Sequence, residues 1–209
     1  VALLFTAPQE PSYGGKKLSE LLYDRPMAGN LFDVRRLAGG NYFMIWDESA
    51  DAVRAIGRKA LPTLLGMLEA SDSALTRKFI KLASEQRLIT THFHFDGEKH
   101  QAAMVGFSAL GTNALSAVPE LIQLSRHADA TVRETALVCL DCVAPAKDTL
   151  LPVLEAGLRD SDNRVKSVSA EILAKRYPDS AERLGIYELY PQFKPEPETV
   201  DATIGSPAK

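Results

Sequence analysis

The chain has 209 residues, 45% of them hydrophobic and 24% charged, with a formal net charge of −3 and a pI near 5.9. That is the composition of a folded chain long enough for one sizeable domain or a short repeat array. The acidic balance disfavours nucleic acid as the main partner, because phosphate binding needs a basic excess to displace counterions. Two cysteines, Cys139 and Cys142, are too few for a disulfide-stapled scaffold and leave no second pair for a zinc site, and no run reaches the roughly 18 apolar residues of a membrane span.

Residues 1–12 open on an apolar run, Val1 to Phe5, with no initiator Met. They read either as the remnant of a signal peptide or membrane anchor or as a trimmed terminus; Phe5 and Pro8 fit poorly around a cleavage at Ala7. Export or anchoring and a cytoplasmic location both stay open. Residues 13–47 are expected to hold an N-terminal helix and an irregular capping segment, since 24–46 is broken by Gly, Pro and Asn and shows no clear period. Tyr42, Phe43 and Trp46 are expected to cover the open end of the core; an aromatic contact site is the alternative.

Residues 48–177 repeat. The stretch from Ser116 and the stretch from Thr149 coincide at a shift of 33: Pro119 falls on Pro152, Leu121 on Leu154, Asp129 on Asp162, Val132 on Val165 and Leu140 on Leu173. An earlier copy puts Pro62, Leu64, Asp72, Leu75 and Ala83 at the same places, and residues 50–57 read as the end of a still earlier second helix. Each copy reads as a helical hairpin. Ser116 and Thr149 are expected to cap the first helix, with Pro119 and Pro152 in its first turn, where an amide has no helical acceptor. Asp72, Asp129 and Asp162 are expected to cap the second, with Asp129–Arg133 and Asp162–Lys166 four apart and able to bridge. Stripes such as Val132, Ala136, Leu137, Leu140 and Val143 are one-sided, so a single hairpin cannot bury them and stacked hairpins can.

An excess of residues separates the earlier copy from the next. Residues 98–111 carry Ala103, Met104, Phe107 and Leu110 at the second-helix positions, with Asp96 as cap and Gly97 beside it. The crossover at 88–97 replaces a first helix, and its alternation of Ile89, Thr91, Phe93 and Phe95 with Thr90, His92 and His94 reads as extended chain. His92 and His94 would share a side there, and His100 or Glu98 is the candidate third ligand of a metal site. The simpler reading, a joint whose phenylalanines fill the core, is preferred. His127 falls in a turn and is expected to be solvated. Cys139 and Cys142 have redox spacing, yet they close a helix rather than open one and read as buried small hydrophobes. Residues 178–209, with Pro191, Pro195, Pro197 and Pro207, are expected to be largely disordered.

The pattern of a first-turn proline followed by Asp-x-x-Val-Arg resembles the HEAT (armadillo-type) repeat. Asp129 to Arg133 matches it fully, Asp162 to Lys166 with Lys for Arg, and Asp72 to Thr76 lacks the base. Tyr13 to Leu22 also resembles the segment before the repeats in bacterial HEAT-repeat proteins of unassigned role. The resemblance implies an all-α fold, a right-handed α-solenoid of stacked hairpins that binds other macromolecules and catalyses nothing. It implies an inter-repeat ladder through Asp129, Arg133, Asp162 and Lys166, and a concave face of second helices for a protein partner. Candidate contact positions there are Arg77, Lys78, Lys81, Arg133, Glu134, Lys166 and Ser167; a solvated helix face is their plain alternative. No cofactor is expected. The competing reading is an enzyme of a HEAT-like family, either phycobilin-lyase-like or metal-dependent through His92 and His94. A deoxyhypusine hydroxylase is disfavoured because no histidine is followed by Glu.

Overall fold

A computed structural model describes residues 9–23, 31–36, 42–70 and 96–195. Asp72, Thr76, Arg77, Lys78, Lys81, His92, His94 and the crossover up to residue 95 lie outside the described residues, as do residues 1–8 and 196–209.

The described chain is mostly helical and its helices pack together. It is not all-α, however, because it opens with two antiparallel hairpins. Strands β1 (Ser12–Tyr13) and β2 (Lys16–Lys17) meet across Gly14 and Gly15 at φ of 58° and 81°, the left-handed region that a two-residue hairpin turn requires. The short helix α1 (Leu18–Tyr23) follows and buries Leu18 and Leu22. Strands β3 (Leu31–Arg36) and β4 (Tyr42–Trp46) pair next, with Arg36 opposite Tyr42 and Asp33 opposite Ile45. The expected irregular capping segment is therefore partly a β-ribbon. The strand propensity of Tyr42, Phe43, Ile45 and Trp46 outweighs the breaks on either side. The β4 backbone packs on the helices, whereas the side chains of Tyr42, Phe43 and Trp46 fall outside the description.

Helix α2 (Asp47–Ile56) ends at Gly57, whose φ of 63° no helix continues. A 3-10 turn leads into α3 (Leu61–Glu69), where Pro62 sits in the first turn and Leu61, Leu64, Met67 and Leu68 are buried. Helix α4 (Asp96–Leu110) takes Asp96, expected just before it, as its first residue and buries Ala103, Phe107 and Leu110 on the expected stripe. Its Gly106 lets Leu64 of α3 approach so closely that a β-carbon there would overlap the leucine side chain.

Helices α5 (Val118–Leu124), α6 (Ala130–Val143), α7 (Lys147–Gly157) and α8 (Asn163–Arg176) form two hairpins. The second-helix caps are as expected: Asp129 accepts from the Thr131 amide and Asp162 from the Arg164 amide, each at 2.8 Å. The first-helix caps are not. Ser116 lies within a 3-10 turn (Gly111–Ala117) and Thr149 within α7, so Ala117 and Ala146 stand at the two starts without a side-chain bond. At α7 the extended Ala146 after Pro145 starts the helix early, which places Pro152 inside it rather than in its first turn. Pro119 does occupy the first turn of α5.

Helix α4 packs on α2 and α3 on one side and on α6 on the other; α6 packs in turn on α8, with α5 and α7 set against the same helices. Phe107, Leu121, Leu137, Leu140, Leu150, Leu154 and Leu173 fill this core and are at most 1% exposed. Residues 178–195, expected to be disordered, instead fold as α9 (Pro178–Arg183), α10 (Ile186–Leu189) and a 3-10 turn (Pro191–Phe193). They lie along α8 and bury Ala181 and Ile186. Pro178 and Pro191 open a short helix and a 3-10 turn at their first turns rather than preventing them.

Candidate functional site

Helices α4, α6 and α8 each leave one arc uncovered. On α4 it comprises Glu98, Gln101, Met104 and Ser108; on α6, Thr131, Glu134, Asp141 and Cys142; on α8, Arg164, Ser167, Glu171 and Lys175. On α4 and α8 steps of three and four residues keep each set on one side of its helix, while on α6 Thr131 and Glu134 stand three apart and Asp141 seven further on. Because the helices are related by 33 residues, Gln101, Glu134 and Ser167 take the same place in successive helices. Glu134 and Ser167 of the expected contact set thus share a surface. The other two described members, Arg133 and Lys166, are one position along and turn towards the junctions between helices.

Charge pairs stitch this arc together. Arg164 Nη1 lies 3.5 Å from Glu134 Oε2, joining α8 to α6. Burial pushes the Glu134 carboxyl above its usual range and Arg164 opposes that shift. At the other end Asp141 receives the Arg176 guanidinium, with Lys175 Nζ at 3.6 Å from its second oxygen. At the α1 edge burial pushes the Tyr23 phenol up to about 12, with the carboxylates of Glu10 and Glu98 adding to it.

Beneath the arc is a clamp. The expected ladder pairs the Asp and the base of the repeated motif, but Asp129 and Asp162 are each engaged in capping their own helix. Arg133 reaches instead to Asp160, Nε to Oδ2 at 2.8 Å and Nη2 to Oδ1 at 2.7 Å, with both side chains only 13% exposed. Its Nη1 donates to the carbonyls of His127 and Ala128, each at 2.9 Å. The hydrogen bond from Arg133 holds the Asp160 carboxyl below its ordinary range, and the same bond raises Arg133. Lys166 adds a favourable field at Asp160. A cleft of about 350 Å³ opens beside the clamp, lined by Arg126, His127, Leu137, Val153, Gly157 and Ser161 among others.

Asp160 had a signal in the sequence that motif matching passes over. It stands two residues before the cap, and its Oδ1 accepts the Asp162 amide at 2.8 Å. The residue 33 earlier, His127, does the same: its Nδ1 accepts the Asp129 amide at 3.1 Å. His127 is half-buried and structural, not solvated as expected. The same shift carries Arg133 back onto His100.

His100 is 4% exposed, with Nε2 3.0 Å from the Ala70 carbonyl and Nδ1 buried without a hydrogen-bond partner. Its candidate co-ligands His92 and His94 lie outside the described residues. Among the described residues no group of three or more His, Cys, Asp or Glu could hold a metal ion. Cys139 is fully buried and burial pushes its thiol well up, while Cys142 is half-buried; no disulfide joins them. Among the described residues no helix is long and apolar enough to cross a membrane. No protein-family model, no curated protein and no solved structure gives a significant match to this chain.

Proposed function

We propose that residues 48–177 are a HEAT-type α-solenoid and that the chain is a non-enzymatic scaffold. In this reading it binds a protein partner on the face presented by α4, α6 and α8. The observation that carries the reading is the row itself: three helices of one period packed side by side, with the half-buried Gln101, Glu134 and Ser167 at equivalent places. Such a row makes an extended surface, which is how stacked-repeat proteins engage partners. Its mixture of half-buried apolar and paired polar residues, within an acidic chain, suits a protein better than a polyanion.

The test is capture on the immobilised chain, comparing the native sequence with Ser167→Arg on the α8 part of the face and Glu120→Arg on the first-helix side. A partner bound by the native chain and by Glu120→Arg, and lost with Ser167→Arg, supports the reading. A partner lost only with Glu120→Arg places binding elsewhere. Partners that ignore both changes argue against the face.

A further inference from the structure

The cleft beside the Arg133–Asp160 clamp shares no residue with the partner face. The turn after α5, the inner side of α6 and the second half of α7 with its following turn enclose it, and its volume of about 350 Å³ is at the small end for a ligand pocket. We propose that this cleft binds a monocarboxylate with a short apolar body, the carboxylate held by Arg126 and the body laid against Leu137, Val153 and Ala156.

Most polar groups of the cleft are already committed. Arg133 and Asp160 hold each other through two hydrogen bonds, and Asp160 also accepts the Asp162 amide. The Ser125 hydroxyl donates to the Ile122 carbonyl at 2.7 Å. His127 Nδ1 accepts the Asp129 amide, so in the neutral ring the proton is on Nε2. Three side-chain groups remain: the Arg126 guanidinium, His127 Nε2–H and the Ser161 hydroxyl. None of the three has a hydrogen-bond or ion-pair partner among the described residues. Arg126 and Ser161 are exposed and His127 is half-buried. All three can donate, and only the hydroxyl can also accept. A cleft whose uncommitted groups are donors is complementary to an anion.

Charge decides which anion. The Arg133 and Asp160 charges offset each other, so among the lining residues Arg126 alone carries a charge without a partner. One cation matches one negative charge. A dianion such as phosphate would face the Asp160 carboxylate with no second free cation to offset it. The remaining wall is apolar: Leu137, Val153 and Ala156, with Gly157 adding no side chain to fill the space. Covering that wall favours a carboxylate that carries an apolar body over a bare one. A small free acid and the C-terminal residue of a peptide present the same chemistry.

Titration of the whole isotope-labelled chain with N-acetyl-leucine, followed by amide chemical shifts, tests this. N-acetyl-leucinamide keeps the body without the charge, and inorganic phosphate keeps a charge without the body. Saturable shifts are expected at 125–127 and 156–161 with N-acetyl-leucine, with both controls binding at least about five-fold more weakly. Arg126→Gln should weaken N-acetyl-leucine at least about three-fold. Arg159→Gln should leave binding unchanged, because Arg159 holds the equivalent place 33 residues on, is also exposed and does not line the cleft. Both changes are at exposed positions and should leave the fold intact. A short peptide ending in leucine with a free carboxylate distinguishes the sources: tighter binding than N-acetyl-leucine supports a peptide terminus, and weaker binding supports a small acid. No saturable shift with N-acetyl-leucine, equal binding of the amide or of phosphate, or equal losses in the two arginine variants would overturn the proposal.

Discussion

Arg133 illustrates how a single side chain can be read from sequence for its role and not for its partner. The repeated motif points to a base at this position that joins neighbouring units. Which carboxylate it meets depends on where Asp162 is already committed, and that is a matter of geometry. The cap takes Asp162, and the guanidinium turns to Asp160. Asp160→Ala would leave a mostly buried guanidinium without its carboxylate and remove the acceptor for the Asp162 amide. We expect a loss of about 2 kcal/mol in urea unfolding, below the roughly 3–5 kcal/mol of a broken, fully buried pair because this pair is not fully enclosed. Asp129→Ala removes a helix cap and is expected to cost about 1 kcal/mol by the same measurement.

The acid behaviour of these carboxylates follows with a definite sign. Asp129, Asp160 and Asp162 are all held below the usual carboxylate range in the folded chain. Their contribution to stability is therefore complete above the unfolded value near 3.9 and is lost as the pH falls through the lower folded values. Glu134 works against them, since its carboxyl is raised by burial and its ionisation on going above the unfolded value costs stability. Unfolding followed from pH 5 to pH 2 should show the loss, with a smaller slope in Asp160→Ala.

At the scale of elements, the described second helices were legible and the first helices only partly so. Aspartate caps and one-sided stripes specify a helix start within a residue, as the Asp129 and Asp162 caps show. Ser116 and Thr149 mislead because a hydroxyl at the right spacing caps only if the backbone leaves the helix there. A 3-10 turn at one site and the Pro145–Ala146 step at the other prevent it. The β3–β4 ribbon was obscured by the Gly and Asn residues between its strands, and the C-terminal helices by prolines that sit at their first turns. Close approach between elements was not legible at all. Gly157 of α7 has Ser169 Oγ and Leu137 so near that a β-carbon would overlap the hydroxyl. Ser169 is fully buried and its hydroxyl is already bound to the Val165 carbonyl at 2.9 Å, so it cannot yield easily. Gly157→Ala is therefore expected to destabilise by about 1–3 kcal/mol through overpacking, measured as a fall in the urea midpoint with an unchanged slope.

For the whole molecule, the row of α4, α6 and α8 is what the repeat period predicts, and the segments around it were the harder part. Helices α9 and α10 cover α8 and shield apolar surface that a stacked row would otherwise expose at its end. A chain ending at Arg176 should lose stability and associate non-specifically, visible as a lower thermal midpoint and as light scattering during unfolding. The most direct measurement is the capture comparison of the native chain, Ser167→Arg and Glu120→Arg, with bound proteins identified by mass spectrometry. The account predicts a partner that survives Glu120→Arg and disappears with Ser167→Arg while the folded state is unchanged by circular dichroism. A native chain that captures nothing, or a partner indifferent to Ser167→Arg, would contradict it.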